Sequence, residues 1–410
     1  MLKIFRIAFK NLYRQKRRSL LTVFIIAFGV IAVLLFSGIA GSFKSMMIGQ
    51  ITDSSLGHIQ VHRKGYVQSL DNMPLNIIIK GKQLDKLTQV LDKIPEIEAY
   101  SFRILFGGML SNYKETTNMK LASVNPKKEG KVTPLLKTRI KKGRMPKKGE
   151  IVLPDLITKG MGLKVNNDVV ILANNAAGSL NGRNFKISGI IESVGGPSGK
   201  YGYINIEDAK ALLRMNEAQV SEVAIRLKNI DTLDKTTQIL KHKLGKITNK
   251  KGKPVFEVHP WTKLSPFYNI ARMIDLMVLF IKAILITIVL ISVMNVMVMA
   301  VYERVKEIGT MSAMGTPASK IRLLFIFEGL LLGIIGVLSG SIIGSGLIYL
   351  VKLLKVTVKF GRMDNLLLRP YVNMSEILTV SLIVIVVSAI AVIDPAIKAA
   401  KLEPADALRE

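Results

Sequence analysis

The chain has 410 residues, of which 49% are hydrophobic and 21% charged, and a mean hydropathy of +0.35. That is too apolar for an ordinary soluble protein and too charged for spans alone, so the composition implies membrane spans attached to a sizeable water-facing domain. Cysteine is absent, which excludes a disulfide framework and a thiolate metal site.

The formal net charge of +29 invites a nucleic-acid reading. Aromatic residues are only 6% of the chain, and the lysines are scattered through its middle rather than gathered beside stacking platforms. An anionic membrane surface accounts for them at least as well, so no nucleic-acid partner is expected.

In chain order, residues 1–19 carry Lys3, Arg6, Lys10, Arg14, Lys16, Arg17 and Arg18 without one acid. The positive-inside rule makes this segment cytoplasmic. A first span follows at 20–43, "LLTVFIIAFGVIAVLLFSGIAG" at its centre, uncharged and long enough to cross. The small residues before Gly41 look like a cleavage site, but the apolar core is too long for an ordinary signal peptide, and the expectation is a retained span. Residues 44–265 form a large excursion to the outside, long enough for two subdomains. Strands are predicted in "HIQVHR", "LNIIIK", "GGMLSNY", "FKISGIIESV", "GYINIED" and "SEVAIRLK". Helices are predicted in "GKQLDKLTQVLDKIP", "EDAKALLRMN" and "TLDKTTQILKHKLGKI", and "EIVLPDLITKGMGLKVNNDVVIL" reads as strand, helix, turn, strand. The lysine-rich segment 125–149 reads as a solvated loop. Trp261, the lone tryptophan, sits just before the membrane, where such rings favour the interface.

Spans two, three and four are predicted at 270–301, 321–350 and 375–394, with a cytoplasmic segment at 302–320, a short outer loop at 351–374 and a cytoplasmic tail at 395–410. Span three repeats small residues at Gly329, Gly333, Gly336, Gly340 and Gly344, a face that lets helices pack closely, either within the chain or in a dimer. Asp275 and Lys282 are seven residues apart on one face of span two, and mutual pairing is the plain account of two charges near the membrane. Methionines 273, 277, 294, 297 and 299 in span two suit either core packing or adaptable contact with lipid tails.

Motifs for chemistry are missing. His58 and His62 lie in an alternating strand pattern and read as strand-surface histidines rather than a metal pair. "GGPSGKY" has Val194 and Tyr201 where a phosphate loop needs a glycine and, after the lysine, the short aliphatic hydroxyl of serine or threonine. No catalytic residues and no metal site are expected.

The stretch beginning at Tyr302 places charged, helix-forming residues directly between two apolar runs. Glu303, Arg304, Glu307, Ile308, Gly309, Ala313 and Gly315, with Ile321, Phe327 and Glu328 beyond, resemble the signature of the FtsX-like permease family. The tail "DPAIKAAKLEPADALRE" resembles that family's closing motif, except that Asp394 stands where an aromatic residue commonly precedes the proline. The resemblance implies a MacB/FtsX-like, type VII ABC permease: four transmembrane helices plus a large α+β extracytoplasmic domain, in the bacterial inner membrane. It implies a permease subunit without its own nucleotide site, working as a homo- or heterodimer with a second permease and with a separate ABC ATPase that holds ATP and magnesium. Tyr302, Glu303, Arg304, Glu307, Ile308, Gly309, Ala313 and Gly315 would then form a coupling helix docking on that ATPase, and Glu303 and Glu307, at i and i+4, would lie on one charged face.

"GHIQVHRKGY" followed by "MPLNIII" resembles the lipoprotein-releasing permeases of the LolC/LolE type. That likeness implies a lipoprotein substrate, a periplasmic carrier and contact with membrane lipids. Acyl chains would enter laterally between span one of one subunit and span two of the other, with Phe28, Phe36, Met273, Met277, Lys282 and Met294 lining the cavity. The alternatives are a MacB-like exporter or an FtsX-like regulator of cell-wall hydrolases.

Overall fold

The structure is a computed structural model that describes residues 2–193, 201–215, 218–360 and 363–401. The phosphate-loop look-alike at 195–200 and the tail beyond 401 therefore lie outside the described residues. The chain opens with α1 (Leu2–Arg14) and α2 (Lys16–Ile51). It continues through β1 (Ile59–Arg63), β2 (Ile79–Lys80), α3 (Gly81–Leu91), β3 (Ile97–Ser111), β4 (Thr116–Val124), α4 (Pro126–Val132), α5 (Leu135–Thr138) and β5 (Ile140–Gly143). Next come β6 (Glu150–Pro154), α6 (Asp155–Gly160), β7 (Asp168–Asn174), β8 (Leu180–Ile191), β9 (Tyr201–Asn205), α7 (Ile206–Leu212), β10 (Gln219–Val220), β11 (Glu222–Leu227), α8 (Leu233–Gly245), β12 (Phe256–Pro260) and α9 (Trp261–Leu264). The last third holds α10 (Phe267–Glu303), α11 (Val305–Ala313), α12 (Ala318–Leu353), β13 (Thr357–Phe360), β14 (Met363–Leu367), α13 (Met374–Ala391) and α14 (Ile393–Ala400).

The chain divides into two compact units: Met1–Ser45 with Arg272–Val358 and Leu367–Glu410, and Met46–Ala271 with Lys359–Leu366. The first is helical. Four stretches, Lys16–Leu56, Phe267–Glu303, Ala318–Leu353 and Met374–Ala400, are long and apolar enough to cross a membrane. At 1.5 Å per residue the 37-residue α10 is about 55 Å long. That exceeds the roughly 30 Å hydrocarbon layer, so the helix continues into water.

Small residues set how closely these helices approach. A methyl group on Gly340 would stand 2.8 Å from the Ala27 carbonyl oxygen and 2.8 Å from Val30 Cβ of α2. One on Gly336 would meet Ile26, and one on Gly329 would meet Val392. The glycine face of α12 is thus consumed by packing within the chain. Leu279, Phe280 and Ile284 give α10 an apolar flank and are each more than half exposed. Residues 1–19, read from the sequence only as a basic segment, contain the amphipathic α1. Its Ala8 packs with Leu324 and Leu331 of α12, and its Phe5 meets Phe327 edge-on at 5.8 Å.

The second unit is built on a ten-stranded sheet in the order β12-β1-β11-β3-β4-β9-β6-β8-β5, with β7 pairing with β3 and β8. The 15-residue β3 serves both halves of it. Ile97–Arg103 pairs with β11, and Ile104–Ser111 pairs with β4. Each half has its own core. In one, Leu84 and Leu87 of α3 and Leu240 and Leu244 of α8 cover Ile59, Val223 and Val258. In the other, Phe106, Leu121, Ile151, Ile171 and Phe185 pack together.

Four sequence expectations fail in this unit, the first being Trp261, which is buried in the core with Val223 and Val258 and not set at a membrane interface. The segment 125–149 is not a solvated loop but holds α4, α5 and β5. Its lysines obscure an apolar face in which Val132 and Leu136 are buried, and the Asn125 side chain caps α4 by accepting from the Lys127 and Lys128 amides at 3.1 and 3.3 Å. "LNIIIK" contributes only Ile79 and Lys80 as strand. His58 and His62 are not on the surface, since β1 is covered on both faces and they are 5% and 0% exposed.

Candidate functional site

The polar interval between α10 and α12 is made by a backbone break. Arg304, at φ −119° and ψ 20°, leaves helical geometry and ends α10. The nine-residue α11 follows. It closes in a Schellman motif, with the Thr316 amide donating to the Met311 carbonyl at 3.1 Å and the Gly315 amide to Ser312 at 3.0 Å. Gly315 takes φ +83°, the left-handed conformation that glycine adopts at least cost. Pro317 then precedes α12, where an absent N–H costs nothing.

The break corrects the expected charged face. Glu303 belongs to α10 and Glu307 to α11, so the two do not share one helix face. Each is engaged within the chain: Glu303 by Arg18 at 3.5 Å, and Glu307 by Arg14 at 3.1 Å and by Arg304 at 2.9 Å. Arg304 is buried and also reaches Glu328 in α12 at 3.0 Å, with its guanidinium over the Phe325 ring. Glu328 accepts from Asn11 of α1 at 2.8 Å. This chain of polar contacts ties α1, α11 and α12 together. Ile308 and Gly309 are buried beneath it, while Tyr302 is 70% exposed and Ala313, Met314 and Gly315 are also exposed. The predicted coupling residues are therefore of two kinds, an internal brace (Arg304, Ile308, Gly309) and an outward rim (Tyr302, Ala313, Gly315), with Glu303 and Glu307 between. Asn11 of α1 and Arg18 of α2 were missed, because nothing local to either helix marks a partner some three hundred residues away.

Within one chain, the residues expected to line a cavity between two subunits occupy exposed and half-buried positions. Phe28, Met273 and Met277 are exposed, Phe36 is half-buried, and Met294 packs partly against a core containing Val293 and Met297. Asp275 and Lys282 do not pair with each other. Asp275 takes Lys44 of α2 at 2.6 Å, and Lys282 takes Glu376 of α13 at 2.7 Å. Ser37 of α2 donates to the same Glu376 carboxylate. A charge at this depth is costly unless paired, and each of the two finds its partner on a different helix. Glu376, the one acid of α13, was the available signal.

The second unit also holds a buried ionic cluster. Arg103, at the point where β3 changes partners, meets Glu129 of α4 through two contacts, Nη2 at 2.5 Å and Nε at 3.2 Å, and Glu222 of β11 through Nη1 at 2.9 Å. His62 Nε2 stands 3.4 Å from Glu222, at ion-pair distance but without hydrogen-bond geometry. Burial alone would raise the Glu222 carboxyl, but His62 and Arg103 outweigh it and hold it below the usual carboxylate range.

A short polar helix braced between membrane helices two and three, with a large α+β unit after helix one, defines a multi-spanning permease. The model of the MacB-like periplasmic core domain matches residues 19–243, more than half of the chain, and that of the FtsX-like permease C-terminal region matches 279–404. The chain belongs to this MacB/FtsX family of ABC transporter permeases. It is 32% identical over 121 residues to one uncharacterized ABC transporter permease of Methanocaldococcus jannaschii (30% of this chain, 32% of that one). It is 24% identical over 227 residues to another from the same organism (55% of each chain). It is 23% identical over 269 residues to the lipoprotein-releasing system transmembrane protein LolC of Haemophilus influenzae (63% of this chain, 64% of that one). The matched parts thus span between about a third and two thirds of these relatives' lengths.

Proposed function

We propose that this chain is the membrane subunit of an ABC transporter that extracts lipoproteins from the outer leaflet of the bacterial inner membrane and hands them to a periplasmic carrier. The observation that carries the transporter part is the Arg304 brace: a partner pushing on the exposed rim of α11 moves α12 through Glu328 and α1 through Asn11. The lipoprotein part is supported by the similarity to LolC over 269 residues. In this reading the basic N-terminal segment and α11 are cytoplasmic and the α+β unit is periplasmic. ATP and magnesium are held by a separate ATPase docked on Tyr302, Ala313, Gly315 and their neighbours. A second permease completes a dimer against apolar flanks such as that of α10.

The match to the MacB-like core over 19–243 favours a second reading, export of a small molecule or peptide by an outer-domain movement. Gentle purification from native membranes, with mass spectrometry of everything retained, separates the two. An ATPase with triacylated lipoproteins is the expected result. An ATPase with an outer-membrane channel or adaptor and no lipoprotein selects the export reading.

A further inference from the structure

Arg139 is a buried cation that forms no ion pair among the described residues. It follows α5, is 6% exposed, and donates to the carbonyl oxygens of Glu192 at 2.7 Å and Ser54 at 3.5 Å, while its Nε meets no acceptor among the described residues. Asp155 and Glu192, the carboxylates that act on it most, are occupied by Lys141 at 3.2 and 3.1 Å. Burial lowers the guanidinium pKa by more than Tyr203, Glu192 and Asp155 raise it. Arg103 shows the contrast: it is equally buried but is neutralised by Glu129 and Glu222. A buried charge left unpaired is costly, and a guanidinium presents a planar fork suited to carboxylate or phosphate oxygens.

Arg139 borders a cavity of about 260 Å³ inside the α+β unit. Ile51, Leu105 and Phe267 supply apolar wall, and the phenol rings of Tyr201 and Tyr203 add hydroxyl groups. Glu222 also borders it, but its charge is spent on Arg103 and His62. An apolar enclosure with a few polar groups is the usual make-up of a small-molecule site. Here the charge still in need of a partner is positive.

We propose that this cavity binds a small organic anion, an acidic oxygen head held by Arg139 with a short apolar stem against Ile51, Leu105 and Phe267. The site goes beyond the transport reading and does not depend on which cargo is moved.

The test uses the full chain in nanodiscs of zwitterionic lipid and a diazirine-bearing medium-chain carboxylate, with labelled peptides mapped by mass spectrometry. The peptide carrying Tyr201 and Tyr203 is expected to be labelled, and the neutral amide of the same probe is expected to label it at least tenfold less. Arg139→Gln should lose that labelling about tenfold, while Arg139→Lys keeps a large part. Suppression by octanoate assigns a carboxylate head, and suppression by octyl phosphate alone assigns a phosphate head; both support the site. Equal labelling by acid and amide, or preference for the corresponding amine, overturns it. The acid–amide comparison is made on the unmodified chain, so it decides the matter even where Arg139→Gln fails to fold.

Discussion

Arg304 and Glu328 lie 24 residues apart and form a buried ion pair at 3.0 Å, with side chains 8% and 6% exposed. Removing one partner strands the other in a poorly solvated place, which typically costs about 3–5 kcal/mol. Arg304→Ala should therefore lower the melting temperature of the purified chain by several degrees. The double change Arg304→Met with Glu328→Leu should recover most of that loss, because the stranded carboxylate is gone. Equal melting of the two variants would show that the pair is not the brace.

Glu307 presents the opposite case. It is 41% exposed and meets the exposed Arg14, a pair worth at most about 1 kcal/mol, and the Nε of Arg304, whose charge Glu328 still balances when Glu307 is lost. Glu307→Lys should leave the melting temperature within a few degrees while abolishing stimulation of the partner ATPase. Stimulation at the normal level would remove Glu307 from the docking surface.

These two residues also mark how far the sequence could be read. The four apolar helices were legible because about 20 uncharged residues leave few alternatives, and α11 was legible because a polar interval sits between two such runs. The break at Arg304 was not, because the i, i+4 spacing of Glu303 and Glu307 fits one continuous helix equally well. Lys282 found Glu376, 94 residues away, rather than Asp275 seven residues away. Only the packing of α10 on α13 and α2 makes that choice. His62 shows the same limit in the sheet: alternation marks a strand, but says nothing about whether a second layer covers its polar face.

The contact of α12 with α2 predicts a sharp positional contrast. Gly340→Leu places a side chain into Ala27 and Val30, whereas a methyl group on Gly346, in the same helix, meets nothing within 4 Å. Overpacking of this kind typically costs about 1–3 kcal/mol or more. Folded yield from membranes should fall severalfold for Gly340→Leu and stay near normal for Gly346→Leu. Similar yields would mean that α2 and α12 are not in close contact in the membrane.

Lys282 and Glu376, each 26% exposed at the side chain, form the other interhelical tie. Lys282→Leu and Glu376→Leu should each destabilise the chain, and the double variant should lose less than the sum. A coupling of about 1 kcal/mol is the expected size for polar contacts between spans. Asp275→Leu should be additive with Lys282→Leu, since the two charges have separate partners. A strong coupling between Asp275 and Lys282 would contradict the Lys44 and Glu376 pairings.

The buried carboxylate of Glu222 sets a pH dependence. Its pKa in the folded chain lies below the ordinary value, because His62 and Arg103 outweigh the effect of burial. A depressed carboxyl contributes stability that is complete above the unfolded pKa of about 4.3. That stability disappears as the pH falls through the lower folded value, when protonation must break the contact with Arg103. The α+β unit should therefore hold its fold down to about pH 4.5 and lose stability below it. Trp261, buried in the same core as Val223 and Val258, reports the transition by fluorescence. Glu222→Gln should be less stable at neutral pH, because Arg103 keeps only Glu129, and its stability should fall less steeply below pH 4.5. An acid transition of unchanged steepness in that variant would assign the pH dependence to other carboxylates, with Asp53, whose burial is outweighed by His58 and Arg226 so that it is held below its ordinary value, the next to test.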